Sequence, residues 1–152
     1  MRRKHLGLLR RSDVVRVLVV DDHALFAEAL MLTLAIDERI EVVGCASSGA
    51  EAIALTAALR PDVVLMDVHM PNVDGIEATR RIRRLSPCPE VMMLTAETSA
   101  ETKRYALAAG ASQYVTKDTP ARLLIEAVVG LHSPVATVSR LPVRFSELRT
   151  GA

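Results

Sequence analysis

The chain has 152 residues, of which 19 are Lys or Arg and 18 are Asp or Glu, so its formal net charge is +1. Half of the residues are apolar, which at this length is typical of one folded domain with a sizeable core. No apolar run reaches the roughly 18 residues that a membrane-spanning helix needs. We therefore expect no membrane role and a cytoplasmic location.

Charge is unevenly distributed along the chain. Residues 1–16 hold six basic residues and one acid, 17–130 hold ten and sixteen, and 131–152 hold three and one. We predict a basic, disordered leader over 1–13, one folded domain over 14–130, and an irregular tail or linker over 131–152. The basic ends offer no recognition helix with a core of its own, so we expect no sequence-specific DNA binding by this chain.

The spacing of particular residue types argues against a CxxC site, a zinc site and a glycine-rich phosphate loop. Cys45 and Cys88 lack a CxxC arrangement and are expected to be free thiols in a reducing compartment. The four histidines show no zinc-ligand spacing. Glycine-rich phosphate loops of the GxxxxGK[ST] and GxGxxG types are also missing from the sequence.

Short runs rich in Val, Leu and Met alternate with helical segments. The predicted strands lie at 17–20, 41–44, 63–66, 91–94 and 114–115, and the predicted helices at 23–35, 49–59, 75–84, 99–109 and 119–129. Strands that are apolar on both faces are covered by helices on both sides. The sequence therefore predicts an α/β fold with a doubly wound, five-stranded parallel sheet.

The first predicted helix contains an apolar stripe. Its members recur at three- and four-residue intervals and are Leu25, Ala29, Leu32 and Ile36. Such spacing places the side chains on one side of a helix. We expect this stripe to face the core.

Polar side chains stand where predicted strands end. They are Asp21 and Asp22 after the first strand, Asp67 after the third, Thr95 after the fourth and Lys117 after the fifth. Carboxyl ends of parallel strands share one edge of the sheet, where ligands bind. Asp22 could instead cap a helix and Asp67 could belong to a turn. Taken together, three carboxylates favour Mg²⁺, with Thr95 and Lys117 as ligands for phosphoryl oxygens.

Four segments together resemble the receiver domain of two-component response regulators. They are 17–23 (VLVVDDH), 61–75 (PDVVLMDVHMPNVDG), 94–96 (LTA) and 110–118 (GASQYVTKD). The resemblance implies a flavodoxin-like (βα)5 fold over about 14–130. The Asp-Asp-His start, the Gly-Ala-Ser turn and the Lys-Asp ending are similar to the subfamily with a LuxR-type helix-turn-helix output, which this chain is too short to include after residue 130.

The resemblance also implies roles for individual residues. Asp67 would accept a phosphoryl group from a sensor histidine kinase, and Asp21, Asp22, Asp67 and the backbone carbonyl of His69 would hold Mg²⁺, Asp21 through water. Thr95 and Lys117 would bind the phosphoryl oxygens. Thr95 and Tyr114 would form the switch, and His69 and Glu97 would tune dephosphorylation.

We therefore expect a phosphorylation-activated switch and not an enzyme acting on a metabolite. The face formed by 99–109, 113–116 and 119–129 would change shape and bind a partner or a second copy. One alternative is the regulatory fragment of a LuxR-type transcription factor. A Mg²⁺-dependent phosphohydrolase is less favoured, because His69 stands where such an enzyme needs a carboxylic acid. Asp118 follows Lys117 where many receivers have Pro, which leaves the peptide geometry there open.

Overall fold

A computed structural model of the chain describes residues 11–97 and 99–132. After a short 3₁₀ turn at Arg11–Asp13, five strands alternate with five helices. The strands are β1 (Val15–Val20), β2 (Ile40–Ala46), β3 (Val63–Asp67), β4 (Glu90–Thr95) and β5 (Gln113–Thr116). The helices are α1 (Ala24–Ala35), α2 (Gly49–Leu59), α3 (Gly75–Ile82), α4 (Ala100–Ala108) and α5 (Ala121–His132).

The sheet confirms the predicted fold class. All four strand pairs are parallel, and the spatial order is β2-β1-β3-β4-β5. The chain moves to one side of β1 for β2 and to the other side for β3, so the connections that leave the adjacent carboxyl ends of β1 and β3 run in opposite directions, which makes this a switch point. Because strands are buried on both faces, the core divides into two clusters. One includes Val17, Leu65 and Leu124, and the other includes Leu18, Met66 and Ile82.

Helix starts follow local sequence chemistry. The side chains of Ser48, Asp74 and Ser99 accept hydrogen bonds from backbone N–H groups in the first turns of α2, α3 and α4. These caps satisfy donors that a helix start leaves without partners. At the end of α4, Gly110 adopts φ of 108°, as expected for a glycine that ends a helix.

The predicted orientation of α1 is wrong. The buried side of α1 consists of Ala27, Leu30 and Leu34, whereas the predicted core stripe lies outside, with Leu25 84% and Ile36 82% exposed. Both sides of this helix are apolar, so periodicity identified a stripe without identifying which one faces the sheet. The helix therefore covers β1 and β2 with one apolar side and presents a second one outward.

The ends of the chain are described only in part. Leu131 and His132 complete α5, and Arg11–Asp13 form the 3₁₀ turn. The remainder of the predicted leader and tail, 1–10 and 133–152, lies outside the described residues. No helix among the described residues is long and apolar enough to cross a membrane.

Candidate functional site

The carboxyl edge of the sheet brings together the acids predicted from the strand ends. Asp21 follows β1 directly, and Asp67 is the last residue of β3; each is only 3% exposed. Asp22 is exposed beside them. One ligand atom from each of Asp21, Asp22, His23 and Asp67 falls within a group spanning at most 4.8 Å. This arrangement can hold one cation between several carboxylates.

Lys117 lies between the two buried acids. Its Nζ is 2.7 Å from Asp21 Oδ2 and 3.6 Å from Asp67 Oδ1, and its side chain is largely buried. The same ammonium stands 4.4 Å from the centre of the Phe26 ring, a cation–π contact from the first turns of α1. One positive charge is therefore shared by two carboxylates and does not fully compensate them.

The negative charge of the Asp67 carboxylate is only partly compensated by its surroundings. Its Oδ2 is buried and accepts no hydrogen bond from any described residue. Burial, and then the charge of Asp21, raise the pKa of Asp67 to about 6, although Lys117 and the His69 backbone N–H act in the opposite direction. Orphaned carboxylate oxygens of this kind are rare in native proteins and call for an explanation such as an ion or a chemical role. Mg²⁺, with its preference for oxygen ligands, fits this donor set.

Gly75 shapes the loop beneath the site. A Cβ at Gly75 would lie 1.9 Å from the Asp67 carbonyl oxygen, and the Gly75 N–H donates to the Val68 carbonyl at 2.9 Å. Only glycine permits this approach of α3 to the end of β3. The start of α3 thus closes the Asp67 loop from below.

Thr95 is the last residue of β4, and Lys117 directly follows the neighbouring strand β5, as predicted. Thr95 is fully buried at the end of β4, and its carbonyl accepts from the Lys117 N–H at 2.7 Å. Its Oγ1 accepts from the Glu97 N–H at 3.1 Å. The hydroxyl and the ammonium are therefore held at the carboxyl ends of adjacent strands, on the same edge of the sheet as Asp67.

Glu97 links the site to the rest of this edge. Its carboxylate forms a hydrogen-bonded pair with His69 and accepts from Thr102 of α4 at 3.4 Å. Its backbone carbonyl accepts from the Tyr114 hydroxyl at 2.9 Å. Half-buried Tyr114 is thereby connected through Glu97 to both Thr95 and the loop that follows Asp67.

The Lys117–Asp118 peptide is trans, since the cis peptide bond of the described residues is Ser86–Pro87. The Asp118 carboxylate instead accepts a hydrogen bond from the Thr116 hydroxyl. This contact holds the turn after β5 without a proline.

Sequence reasoning missed two contributors to the site. His23 Nδ1 is 3.2 Å from Asp21 Oδ1 and 3.3 Å from Asp22 Oδ1, and Phe26 lies under Lys117. The position of His23 directly after Asp21-Asp22 was a signal for the first. No pattern in the sequence indicated the second, because it depends on the rotation of α1.

Comparison with known proteins agrees with this geometry. A family model described as the response regulator receiver domain matches residues 17–129. The transcriptional regulatory protein DegU of Brevibacillus brevis is 38% identical over 117 residues, covering 77% of this chain and 50% of that protein. The response regulator protein VraR of Staphylococcus aureus is 40% identical over 114 residues, covering 75% of this chain and 54% of that protein.

Solved structures show the same relation. The signal receiver domain of the putative response regulator NarL from Mycobacterium tuberculosis has a TM-score of 0.76 and 33% identity, with 79% of this chain and 97% of that chain covered. The response regulator domain of Thermotoga maritima CheB gives 0.73 and 35%, with 78% and 96% covered. The chain spans about half the length of curated relatives such as DegU and VraR. With a matching family model over most of its length and the acidic edge in place, the chain belongs to the response regulator receiver domain family of two-component systems.

Proposed function

We propose that this chain is a phosphorylation-activated switch in which Asp67 accepts a phosphoryl group from the phosphohistidine of a sensor histidine kinase. One observation carries the proposal: Asp67 is buried beside Lys117 and keeps one oxygen without a hydrogen-bond partner among the described residues. A carboxylate in this setting is available as a nucleophile. Such kinases draw on cellular ATP, so the proposed location is the cytoplasm.

In the proposed transfer, an Asp67 carboxylate oxygen forms the new P–O bond while the P–N bond to the kinase histidine breaks. The electron pair of that bond leaves with the imidazole, which takes up a proton. Lys117 Nζ, 3.6 Å from Asp67 Oδ1, neutralises negative charge on the transferring group. Buried Thr95 lies on the neighbouring strand to donate a hydrogen bond to a phosphoryl oxygen.

Asp21, Asp22, Asp67 and the His69 backbone carbonyl are the proposed Mg²⁺ ligands, with Asp21 acting through water. When bound, the ion supplies positive charge that offsets both the carboxylates and the phosphoryl oxygens. His23 adds a nitrogen to the same cluster. We assign it no ligand role, because oxygen is the preferred donor for Mg²⁺.

The proposed output begins with Thr95. Phosphorylation adds a charge of about −1.5 to −2, which draws the Thr95 hydroxyl away from the Glu97 N–H. Loss of that hydrogen bond would displace Glu97. Because Glu97 also accepts hydrogen bonds from Tyr114 and Thr102, its displacement would alter the 99–129 face, which is formed by 99–109, 113–116 and 119–129. Tyr105 and Leu107 expose apolar surface there for a partner or a second copy. His69 and Glu97, paired above the loop, are proposed to govern access of hydrolytic water.

The experiment is phosphorylation by acetyl phosphate with Mg²⁺, followed by intact-mass spectrometry. Wild-type protein is expected to gain one phosphoryl group and Asp67→Asn none. Asp62→Asn is the matched control, since Asp62 lies at the opposite end of β3 and accepts from the Arg16 N–H at 2.8 Å. Asp22→Ala is expected to remain folded and to lose Mg²⁺-dependent labelling. Equal labelling of wild type and Asp67→Asn would show that the phosphoacceptor is another residue.

A further inference from the structure

The proposed transfer requires the Lys117 ammonium close to Asp67, and one of the groups that contact this ammonium is uncharged. Its Nζ is 2.7 Å from Asp21 Oδ2, 3.6 Å from Asp67 Oδ1 and 4.4 Å from the centre of the Phe26 ring. A lysine ammonium carries three N–H donors, so it can interact with several groups at once. Two carboxylates and one aromatic ring therefore share the Lys117 ammonium.

The Phe26 ring is itself held in place by the fold. Phe26 lies in the first turn of α1, which begins at Ala24. Its side chain is half-buried and packs against the core cluster that α1, α5 and the sheet form together. The start of the helix is fixed as well, because the Ala27 N–H donates to the His23 carbonyl at 3.0 Å. A ring anchored in this way defines one position for the ammonium.

The carboxylates and the ring respond differently to a bound cation. A divalent ion among the carboxylates would weaken their attraction for Lys117 and would repel the ammonium. The attraction of the ring arises from its quadrupole, which such an ion does not neutralise. This attraction is larger for a desolvated cation, and the Lys117 side chain is only 15% exposed. The ring therefore continues to hold the ammonium beside Asp67 when the attraction of the carboxylates is reduced.

We propose that Phe26 is a positioning residue for phosphoryl transfer, which acts by keeping Lys117 Nζ beside Asp67 in the metal-loaded site. This inference rests on the proposed function. Lys117 neutralises charge on the transferring group, so a lysine that leaves the site for part of the time slows the transfer. Weakening the ring contact should therefore lower the rate of phosphorylation and leave the phosphoacceptor unchanged.

Fluorinated phenylalanine tests this role, because fluorine withdraws charge from the face of the ring and nearly keeps its shape. The chain has two phenylalanines, Phe26 and Phe145, and the second lies outside the described residues. In a Phe145→Leu background, mono-, di- and trifluorinated phenylalanine can therefore be incorporated at position 26 alone. The rate constant of Asp67 labelling by acetyl phosphate with Mg²⁺ is expected to fall with each fluorine, by about three- to tenfold for the trifluorinated ring. A ring that only fills space would give equal rates.

Lysine NMR spectra provide a measurement that does not depend on phosphorylation. The chain has three lysines, Lys4, Lys103 and Lys117, so ¹³C-lysine labelling gives three ε-methylene signals. The Phe26 ring should shift the Lys117 signal upfield, and Phe26→Met should abolish that shift. When Mg²⁺ is added without a phosphodonor, the upfield shift should persist in protein with the natural ring. It should shrink in the trifluorinated protein, because Lys117 then leaves the ring.

Three substitutions complete the test. Phe26→Met keeps a large apolar side chain without a ring and should label at least about threefold more slowly, whereas Phe26→Tyr restores an aromatic face and should label like wild type. Met31→Ala is the matched control, since it removes another partly buried α1 side chain that packs on the same cluster, and it should also label like wild type.

Two results would overturn the proposal. One is a labelling rate that does not change with fluorine content or that falls equally in Met31→Ala and Phe26→Met. The other is a Lys117 signal that Mg²⁺ moves equally in the natural and trifluorinated proteins. Absence of labelling at Asp67 in wild type would contradict the proposed function instead, and the lysine signals would still decide whether Phe26 holds Lys117.

Discussion

The two ends of the sheet hold aspartates in opposite settings. At the amino end of β2, Asp37 accepts from the backbone N–H and the guanidinium of Arg39, and these hydrogen bonds lower its pKa. At the carboxyl end of β3, burial raises the pKa of Asp67 to about 6, and one of its oxygens has no hydrogen-bond partner in the described part of the chain. An aspartate carboxylate therefore has its hydrogen bonds satisfied at the amino end, whereas at the carboxyl end it lacks hydrogen-bond partners among the described residues.

This difference distinguishes carboxylates that stabilise the fold from carboxylates that serve the proposed function. At the amino end, Asp62 likewise accepts from the Arg16 N–H, and Arg39 also binds Glu126. At the carboxyl end, a single ammonium serves two buried carboxylates. Burying like charges with incomplete compensation costs stability and leaves the group ready for an incoming cation or phosphoryl group.

The largest expected effect is that of Lys117→Met in metal-free buffer. The substitution leaves Asp21 and Asp67 facing each other without a cation, and breaking a buried ion pair in this way costs about 3 kcal/mol of unfolding free energy. Urea unfolding measures it. The matched control is Arg39→Met at the amino end, where the pairs are more exposed and the loss is about 1 kcal/mol or less.

Adding Asp67→Asn to Lys117→Met is expected to recover much of the lost stability, because one of the two carboxylates is removed. Equal losses in Lys117→Met and Arg39→Met would contradict the contrast between the two ends of the sheet.

Two glycines compare the tight packing beside Asp67 with the open packing near the end of α5. Gly75→Ala places a Cβ 1.9 Å from the Asp67 carbonyl oxygen, and the forced backbone shift is expected to cost about 2–3 kcal/mol. At Gly130, near the end of α5, no atom of the described residues outside the neighbouring helix backbone lies within 4 Å of the Cβ position. Gly130→Ala is expected to raise the unfolding free energy by about 0.5–1 kcal/mol, through helix propensity and a less flexible unfolded chain.

Thermal and urea unfolding of both variants provide the measurement. Destabilisation by Gly130→Ala, or a neutral Gly75→Ala, would show that the packing described around these two glycines is wrong.

The topology was predictable because the strands are short, β-branched and separated by recognisable turns. Once the strand ends were located, the convergence of Asp21, Asp67 and Lys117 followed from the geometry of parallel sheets. The orientation of α1 did not follow, since Leu25 and Leu30 belong to stripes of similar apolar character. Contacts that depend on helix rotation, such as that of Phe26 with Lys117, could not be predicted from the sequence for the same reason.

The last prediction concerns the pH dependence of stability in the presence of a chelator. Because the folded-state pKa of Asp67 is about 6 and its ordinary value is 3.8, the folded protein binds this proton more tightly than the unfolded chain does. Stability should therefore fall as pH rises between about 4 and 6. Asp67→Asn removes that loss, so it should match wild type near pH 4 and exceed it by about 2 kcal/mol at pH 7.

Asp37→Asn is the counterpart at the amino end, and the sign of its effect is opposite. The pKa of Asp37 is lowered by Arg39, so the ionised carboxylate stabilises the fold above its ordinary pKa, and this contribution is lost as pH falls. The pair is partly solvated, so Asp37→Asn should lower stability at pH 7 by only about 0.5 kcal/mol. Urea unfolding at both pH values compares the two variants. If Asp67→Asn proved less stable than wild type at pH 7, the buried carboxylate would be a stabilising group, and the two ends of the sheet would be electrostatically alike.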